Sequence, residues 1–130
     1  MKKKILVIIA DYYKDISNNL LKSALNNLNK KQYSIKILKV PGVFEIPVTI
    51  SRNINKYNGF IALGCVIKGQ TPHFDFISKS ATDAIMKLYI SSKKQIGNGI
   101  ITCLNKKQAI ARGKKRLEAS EAVKVVLTNK

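Results

Sequence analysis

Two apolar runs constrain this chain more than any other feature of it. Ile5-Leu6-Val7-Ile8-Ile9-Ala10 and Phe60-Ile61-Ala62-Leu63-Gly64-Cys65-Val66-Ile67 are rich in β-branched residues and have the length of strands. A run with no polar side must be covered on both faces, which is the condition of a central strand in a parallel sheet. Residues 96–103 form a further strand, the last in the chain. Residues 33–40 alternate in part, with Tyr33, Ile35 and Ile37 set against Ser34 and Lys36, as an edge strand exposed on one face does.

Between these runs, apolar residues recur at helical spacing. Ser17 is placed to cap a helix that carries Leu20, Leu21, Ala24, Leu25 and Leu28 on one face. Residues 44–55 hold Ile46, Ile50 and Ile54 four apart, with Pro47 tolerated in the first turn. A third helix, from 71 to about 92, has a stripe of Phe74, Ile77, Ala81, Ile85 and Leu88. A last one runs from about 107 toward 127 and is weakened at Gly113. Strands alternating with helices predict right-handed βαβ units in an α/β fold. The expected architecture is a flavodoxin-like three-layer α/β/α sandwich with a four-stranded parallel sheet of order 2-1-3-4.

One domain accommodates all 130 residues, 1–130, and no repeat, low-complexity tract or linker divides them. A chain of that length buries a core without disulfides or a structural metal. Cys65 and Cys103 both fall in apolar strands and lack metal-ligand spacing, and the chain has one histidine, so no metal site is expected. Met1-Lys2-Lys3-Lys4 before an apolar run begins like a signal peptide. The run is short and flows into Asp11 with no small-residue cleavage site, so it reads as a strand. No segment approaches a membrane span, no membrane partner is expected, and the expected compartment is the cytoplasm. The formal charge of +17 would by itself point to nucleic acid or an anionic surface. The lysines are scattered along the chain, however, and the few aromatics are not interleaved with them. A solvated basic surface without specific nucleic-acid binding is favoured, with a polyanion-binding or ligand-carrier protein on the same fold as the second reading.

The densest chemistry lies in Gly64-Cys65-Val66-Ile67-Lys68-Gly69-Gln70-Thr71-Pro72-His73-Phe74-Asp75. The strand breaks at Lys68-Gly69-Gln70, where Gly69 permits a sharp turn. Thr71 is placed as the N-cap of the next helix and Pro72 as its first residue. Strand, glycine turn and capped helix aim backbone N–H groups and the positive end of a helix dipole at one spot, where an anion such as phosphate belongs. His73, in the first turn, adds a group able to exchange a proton near neutral pH. Residues 11–15, 41–45 and 68–73 all fall at carboxyl ends of predicted strands, where ligands bind in such sheets. The first of these is Asp11-Tyr12-Tyr13 rather than a Ser/Thr/Gly-rich phosphate loop, which disfavours a flavin-binding electron carrier.

That stretch resembles the signature of the lumazine synthase family. Val40-Pro41-Gly42-Val43-Phe44-Glu45-Ile46-Pro47 is similar to a second family motif, and Gly97-Asn98-Gly99-Ile100-Ile101-Thr102 followed by Gln108-Ala109-Ile110-Ala111-Arg112 to a third. The likeness runs in register from about residue 5 to about residue 123. It implies condensation of 5-amino-6-(D-ribitylamino)uracil with 3,4-dihydroxy-2-butanone 4-phosphate to 6,7-dimethyl-8-ribityllumazine, without cofactor. His73 matches the family's proton-transfer histidine, Gln70 and Thr71 its phosphate-binding pair, and Arg112 its phosphate-anchoring arginine. Glu45 would accept hydrogen bonds from ribityl hydroxyls, with Val43 and Phe44 along the same wall. Cys65, Val66 and Ile67 would offer backbone groups to the uracil edge. Tyr12 stands where the family usually has a stacking Phe, within Asp11-Tyr12-Tyr13 where Arg-Phe-Asn is common; stacking survives that change. Asn98 stands where many members have Phe, and the chain is several residues shorter than usual between Arg112 and Glu118, around Lys114, Lys115 and Arg116. The resemblance further implies a homopentamer or multiple of pentamers with the active site between subunits, and riboflavin synthase as a partner.

Overall fold

The two uninterrupted apolar runs lie side by side in the middle of one sheet. A computed structural model describes the backbone of residues 2–69, 73–115 and 117–127, and the side chains of these apart from 113–115, 117–120 and 127. Strands β1 (Lys3–Ala10), β2 (Tyr33–Val40), β3 (Gly59–Ile67) and β4 (Gln95–Cys103) are all parallel, in the order β2-β1-β3-β4 expected from the alternation. β3 pairs with β1 from Ile5↔Gly59 to Ile9↔Leu63 and with β4 from Gly59↔Gln95 to Ile67↔Cys103.

The pleat sorts each inner strand into two cores. Ile5, Val7 and Ile9 face one side with Ile61, Leu63, Cys65 and Ile67, where α1 (Lys14–Asn26), α4 (Lys106–Lys115) and α5 (Leu117–Leu127) supply Leu20, Ala24, Ala109 and Val123. Leu6, Ile8 and Ala10 face the other with Phe60, Ala62 and Val66, against Ile46 and Ile50 of α2 (Ile46–Asn53) and Ala81 and Ile85 of α3 (Phe74–Ser92). This is the flavodoxin-like three-layer arrangement. Each fully buried Leu or Ile contributes roughly 1.5–3 kcal/mol, so strands apolar on both faces outweigh any local preference for another structure. The outer strands show their position in their polar residues: β2 exposes Ser34, Lys36 and Lys39, and β4 exposes Asn98 and Thr102.

Element boundaries differ from the sequence reading at α1, at α3 and over 44–55, and the single helix expected from about 107 toward 127 is assigned as α4 and α5. α1 begins at Lys14, and Ser17 does not cap it: the side chain is buried and its hydroxyl donates to the Ala10 carbonyl at 2.7 Å. α3 begins at Phe74, so His73 holds the N-cap position rather than a place in the first turn. The predicted helix over 44–55 divides into a 3-10 turn, Val43–Glu45, and α2. Pro47 does lie in the first turn of α2, where its missing N–H costs nothing. Residue 116, between α4 and α5, lies outside the described residues, as do the side chains of Lys114 and Lys115.

Candidate active site

β3 is buried along its whole length, and its register with β4 continues one residue past Ile67, where the Lys68 N–H donates to the Cys103 carbonyl at 2.9 Å. Gly69 then turns the chain at φ 84°, the left-handed region that glycine enters without a Cβ penalty. The His73 side chain is exposed, and its carbonyl accepts the Ile77 N–H at 2.8 Å. The N–H groups of Phe74, Asp75 and Phe76 have no acceptor within the helix, and the dipole of this long helix adds positive potential at the same end. An anion is therefore favoured beside His73. Gln70, Thr71 and Pro72, the remainder of the expected phosphate loop, lie outside the described residues.

The end of β2 supplies the second segment. Val43 is buried, and its Cγ2 lies 2.9 Å from where a Cβ on Gly64 would sit; the absent side chain lets the 3-10 turn close over β3. Val43 can face a ligand only through its main chain. Phe44 is 55% exposed and Glu45 half-buried. Together with Pro47, Phe76, Ser80 and Ala84 they line a groove of about 570 Å³ between the 3-10 turn, α2 and α3. Phe76, 63% exposed, is a groove residue that the sequence reading missed. It lies off the buried stripe of its own helix, and a large aromatic outside that stripe is the signal that could have found it.

Tyr12 follows β1. Asp11 still donates to the Val40 carbonyl at 2.9 Å, which extends the β1–β2 edge, and then Tyr12 emerges 66% exposed. Its ring meets Tyr13 edge-on at 4.8 Å, a geometry that leaves an aromatic face available for stacking.

Arg112 rises from α4 toward the end of β4. Its Nη1 donates to the Thr102 carbonyl at 2.7 Å and to Cys103 Sγ at 3.6 Å. Cys103 shares the buried cluster on that face of the sheet with Cys65 of the neighbouring strand. Burial, reinforced by Cys103 and opposed by the nearby Arg112 charge, pushes the Cys65 thiol up to about 12. It stays protonated at neutral pH and is no nucleophile. Since Cys65, Val66 and Ile67 all have buried side chains, they can meet a substrate only through backbone groups.

Asn98 lies elsewhere. It pairs with Ala62 in the middle of β4, its Oδ1 accepts the Ile100 N–H at 3.0 Å, and it lines a groove of about 250 Å³ with Met86, Tyr89, Glu121 and Val125 between α3 and α5. Neither Asn98, Arg112 nor His73 lines the groove that holds Phe44 and Glu45. Among the described residues, no three His, Cys, Asp or Glu side chains are grouped to hold a metal ion, and no helix is long and apolar enough to cross a membrane.

Residues 2–129 match the family model described as 6,7-dimethyl-8-ribityllumazine synthase. A protein of that name from Bartonella tribocorum is 41% identical over 119 residues, which cover 88% of this chain and 79% of the relative. Another from Bartonella bacilliformis is 42% identical over 114 residues, covering 85% and 75%. One from Agrobacterium fabrum is 38% identical over 118 residues, covering 85% and 80%.

Proposed function

This chain belongs to the 6,7-dimethyl-8-ribityllumazine synthase family, and from that premise we infer that it carries out the condensation that completes the lumazine ring in riboflavin biosynthesis. The amine of 5-amino-6-(D-ribitylamino)uracil forms an imine with the ketone of 3,4-dihydroxy-2-butanone 4-phosphate, and water leaves. Phosphate is eliminated, the ribityl-bearing nitrogen closes the ring, and dehydration gives 6,7-dimethyl-8-ribityllumazine. The observation that carries this reading is the family match over residues 2–129, nearly the whole chain.

The chain's own residues then take distinct tasks. Tyr12 stacks on the pyrimidine, the backbone of Cys65, Val66 and Ile67 reads the uracil edge, and Phe44 and Glu45 hold the ribityl chain. Gln70, Thr71 and Arg112 hold phosphate, for which the planar guanidinium fork is better suited than an ammonium. His73 moves the proton. The exposed histidine beside the positive end of α3 and the exposed Phe44 and Tyr12 rings support these roles. Holding both substrates in register accounts for much of the rate, because the imine step is bimolecular.

The working unit is a ring, most simply a homopentamer, in which Asn98 and Arg112 of one protomer complete the site built on His73 and Glu45 of the next. Two observations support sharing. Asn98 and Arg112 do not line the Phe44–Glu45 groove of their own chain, and that groove carries the exposed apolar side chains of Phe44, Val48 and Phe76, with Met86 and Ile90 also exposed farther along α3. Exposed apolar surface of this kind marks an interface. Each protomer is one domain, the compartment is the cytoplasm, and riboflavin synthase, which consumes the product, is a further partner. The polyanion reading gains no support, since exposed lysines are spread over α3 (Lys79, Lys87), β2 (Lys36, Lys39) and α4 (Lys106, Lys107).

Purified protein given both substrates and no added cofactor is expected to generate lumazine absorbance and fluorescence above the spontaneous rate. An assembled sample that does not exceed that rate overturns the reading.

A further inference from the structure

Cys103 touches the turn after β3 and Arg112 through different atoms. Its main-chain oxygen accepts the Lys68 N–H at 2.9 Å, fixing the residue before the Gly69 turn. Its Sγ accepts from Arg112 Nη1 at 3.6 Å, next to the 2.7 Å bond from the same nitrogen to the Thr102 carbonyl. The residue is 1% exposed, at the last position of β4.

We propose that Cys103 is a positioning residue for the reaction: with the Thr102 carbonyl, its thiol pre-orients the Arg112 guanidinium for the phosphate of the second substrate. The inference rests on the phosphate-binding role given to Arg112 above. An arginine on a helix surface samples many rotamers, and ordering it on binding lowers affinity. Here two acceptors from consecutive residues of β4 meet one nitrogen, so the plane of the fork is fixed before phosphate arrives. The Thr102 bond supplies most of the attraction, because a thiol is a weak acceptor. Sγ, buried at the end of β4, supplies a second fixed direction. Both Cys103 and Cys65 of the neighbouring strand are buried in the same apolar cluster, and that packing sets the position of the sulfur that meets Arg112.

Cys103→Val retains an apolar side chain and removes the acceptor; Cys103→Ser restores one. Calorimetric titration with inorganic phosphate, and steady-state kinetics with each substrate varied, compare both with the unmodified protein and with Arg112→Ala. For Cys103→Val we expect phosphate affinity to fall roughly threefold to tenfold, the scale of ordering one long side chain on binding. The KM of the phosphate-bearing substrate should rise equally, with kcat and the pyrimidine KM unchanged. Cys103→Ser should stay within about twofold of the unmodified protein, and Cys103→Val should add nothing in an Arg112→Ala background. If Arg112→Ala weakens phosphate binding and Cys103→Val does not, Cys103 has no positioning role. Equal loss for both substrates in Cys103→Val also overturns it, because that is a general disturbance of β4. Arg112→Ala without effect on phosphate removes the premise instead, and the proposal falls with it. Cys103→Ala carries the same comparison if the valine variant fails to fold.

Discussion

The Ser17 hydroxyl donates to the Ala10 carbonyl across 2.7 Å, and both residues are only 2% exposed. Ala10 ends β1 and Ser17 lies in the first turns of α1, so the bond fixes how the helix leaves the carboxyl end of the sheet. The short loop between them carries Tyr12. A hydroxyl that sequence pattern assigns to a helix cap instead anchors the base of the loop that carries Tyr12.

Ser17→Ala removes that donor and leaves a buried carbonyl short of a partner. The expected loss is about 1–3 kcal/mol, the usual desolvation penalty for such a group. Urea unfolding measures it as a lower midpoint with an unchanged slope. A midpoint equal to the unmodified protein would mean that water or another donor replaces the hydroxyl.

The close approach of α5 to β4 gives a second prediction. A Cβ on Gly97 would sit 2.0 Å from the Ala122 carbonyl oxygen and 2.6 Å from its carbon, both main-chain atoms that cannot swing aside. At Gly99 the nearest atom is the Leu63 Cδ2, at 2.8 Å, the end of a flexible side chain. Gly97→Ala should therefore cost more than the roughly 1–3 kcal/mol typical of overpacking, and Gly99→Ala less than Gly97→Ala. Thermal unfolding of the two variants ranks them, and the reverse order would show that α5 is not seated on the β4 backbone.

The strands and their order were legible because run length and period are local properties. Residues 5–10 and 60–67 have no polar side, so they had to be the inner strands, and the partial alternation of residues 33–40 marked an edge. The stripes containing Ile46 and Ile50, and Ala81 and Ile85, were readable for the same reason. Ser17 was not, since a hydroxyl near a helix start can bond either the helix or the preceding strand, and only packing decides. Helix α3 starting at Phe74 instead of Thr71 is another case, as local capping signals compete with the path of the turn before them. The family was legible through its motifs. The fastening of Arg112 to Thr102 and Cys103 was hidden, because those residues are nine and ten positions apart from it and meet only once α4 folds back on β4.

His73→Ala separates catalysis from stability. The His73 side chain makes no capping hydrogen bond, and it is the main chain that accepts from Ile77. The variant should unfold within about 0.5 kcal/mol of the unmodified protein. Its turnover, after subtraction of the spontaneous condensation, should fall about 10²–10⁴-fold, the range of a general acid–base group. An unchanged rate would remove His73 from the proton transfers.

The last prediction concerns the sharing of sites around a ring. A head-to-tail contact between copies closes into a ring when its rotation permits, and the uncovered Phe44, Val48, Phe76, Met86 and Ile90 offer apolar surface for it. Repulsion between copies that each carry +17 opposes assembly. At physiological salt the screening length is roughly 8 Å, so exposed lysines farther apart than that hardly interact and burial of the apolar groove prevails. Lowering the salt should shift the population toward smaller species, readable by light scattering. Function tests the sharing directly. His73→Ala and Arg112→Ala subunits are each expected to be nearly inactive alone, and mixed rings to regain part of the activity. In a mixed ring some interfaces join an intact His73 on one protomer to an intact Arg112 on its neighbour, while others lack both. Dissociating the two variants together at low salt and reassembling them, then comparing with a mixture that was never dissociated, isolates the effect. No regain in rings shown to contain both variants would mean that each protomer carries a complete site of its own.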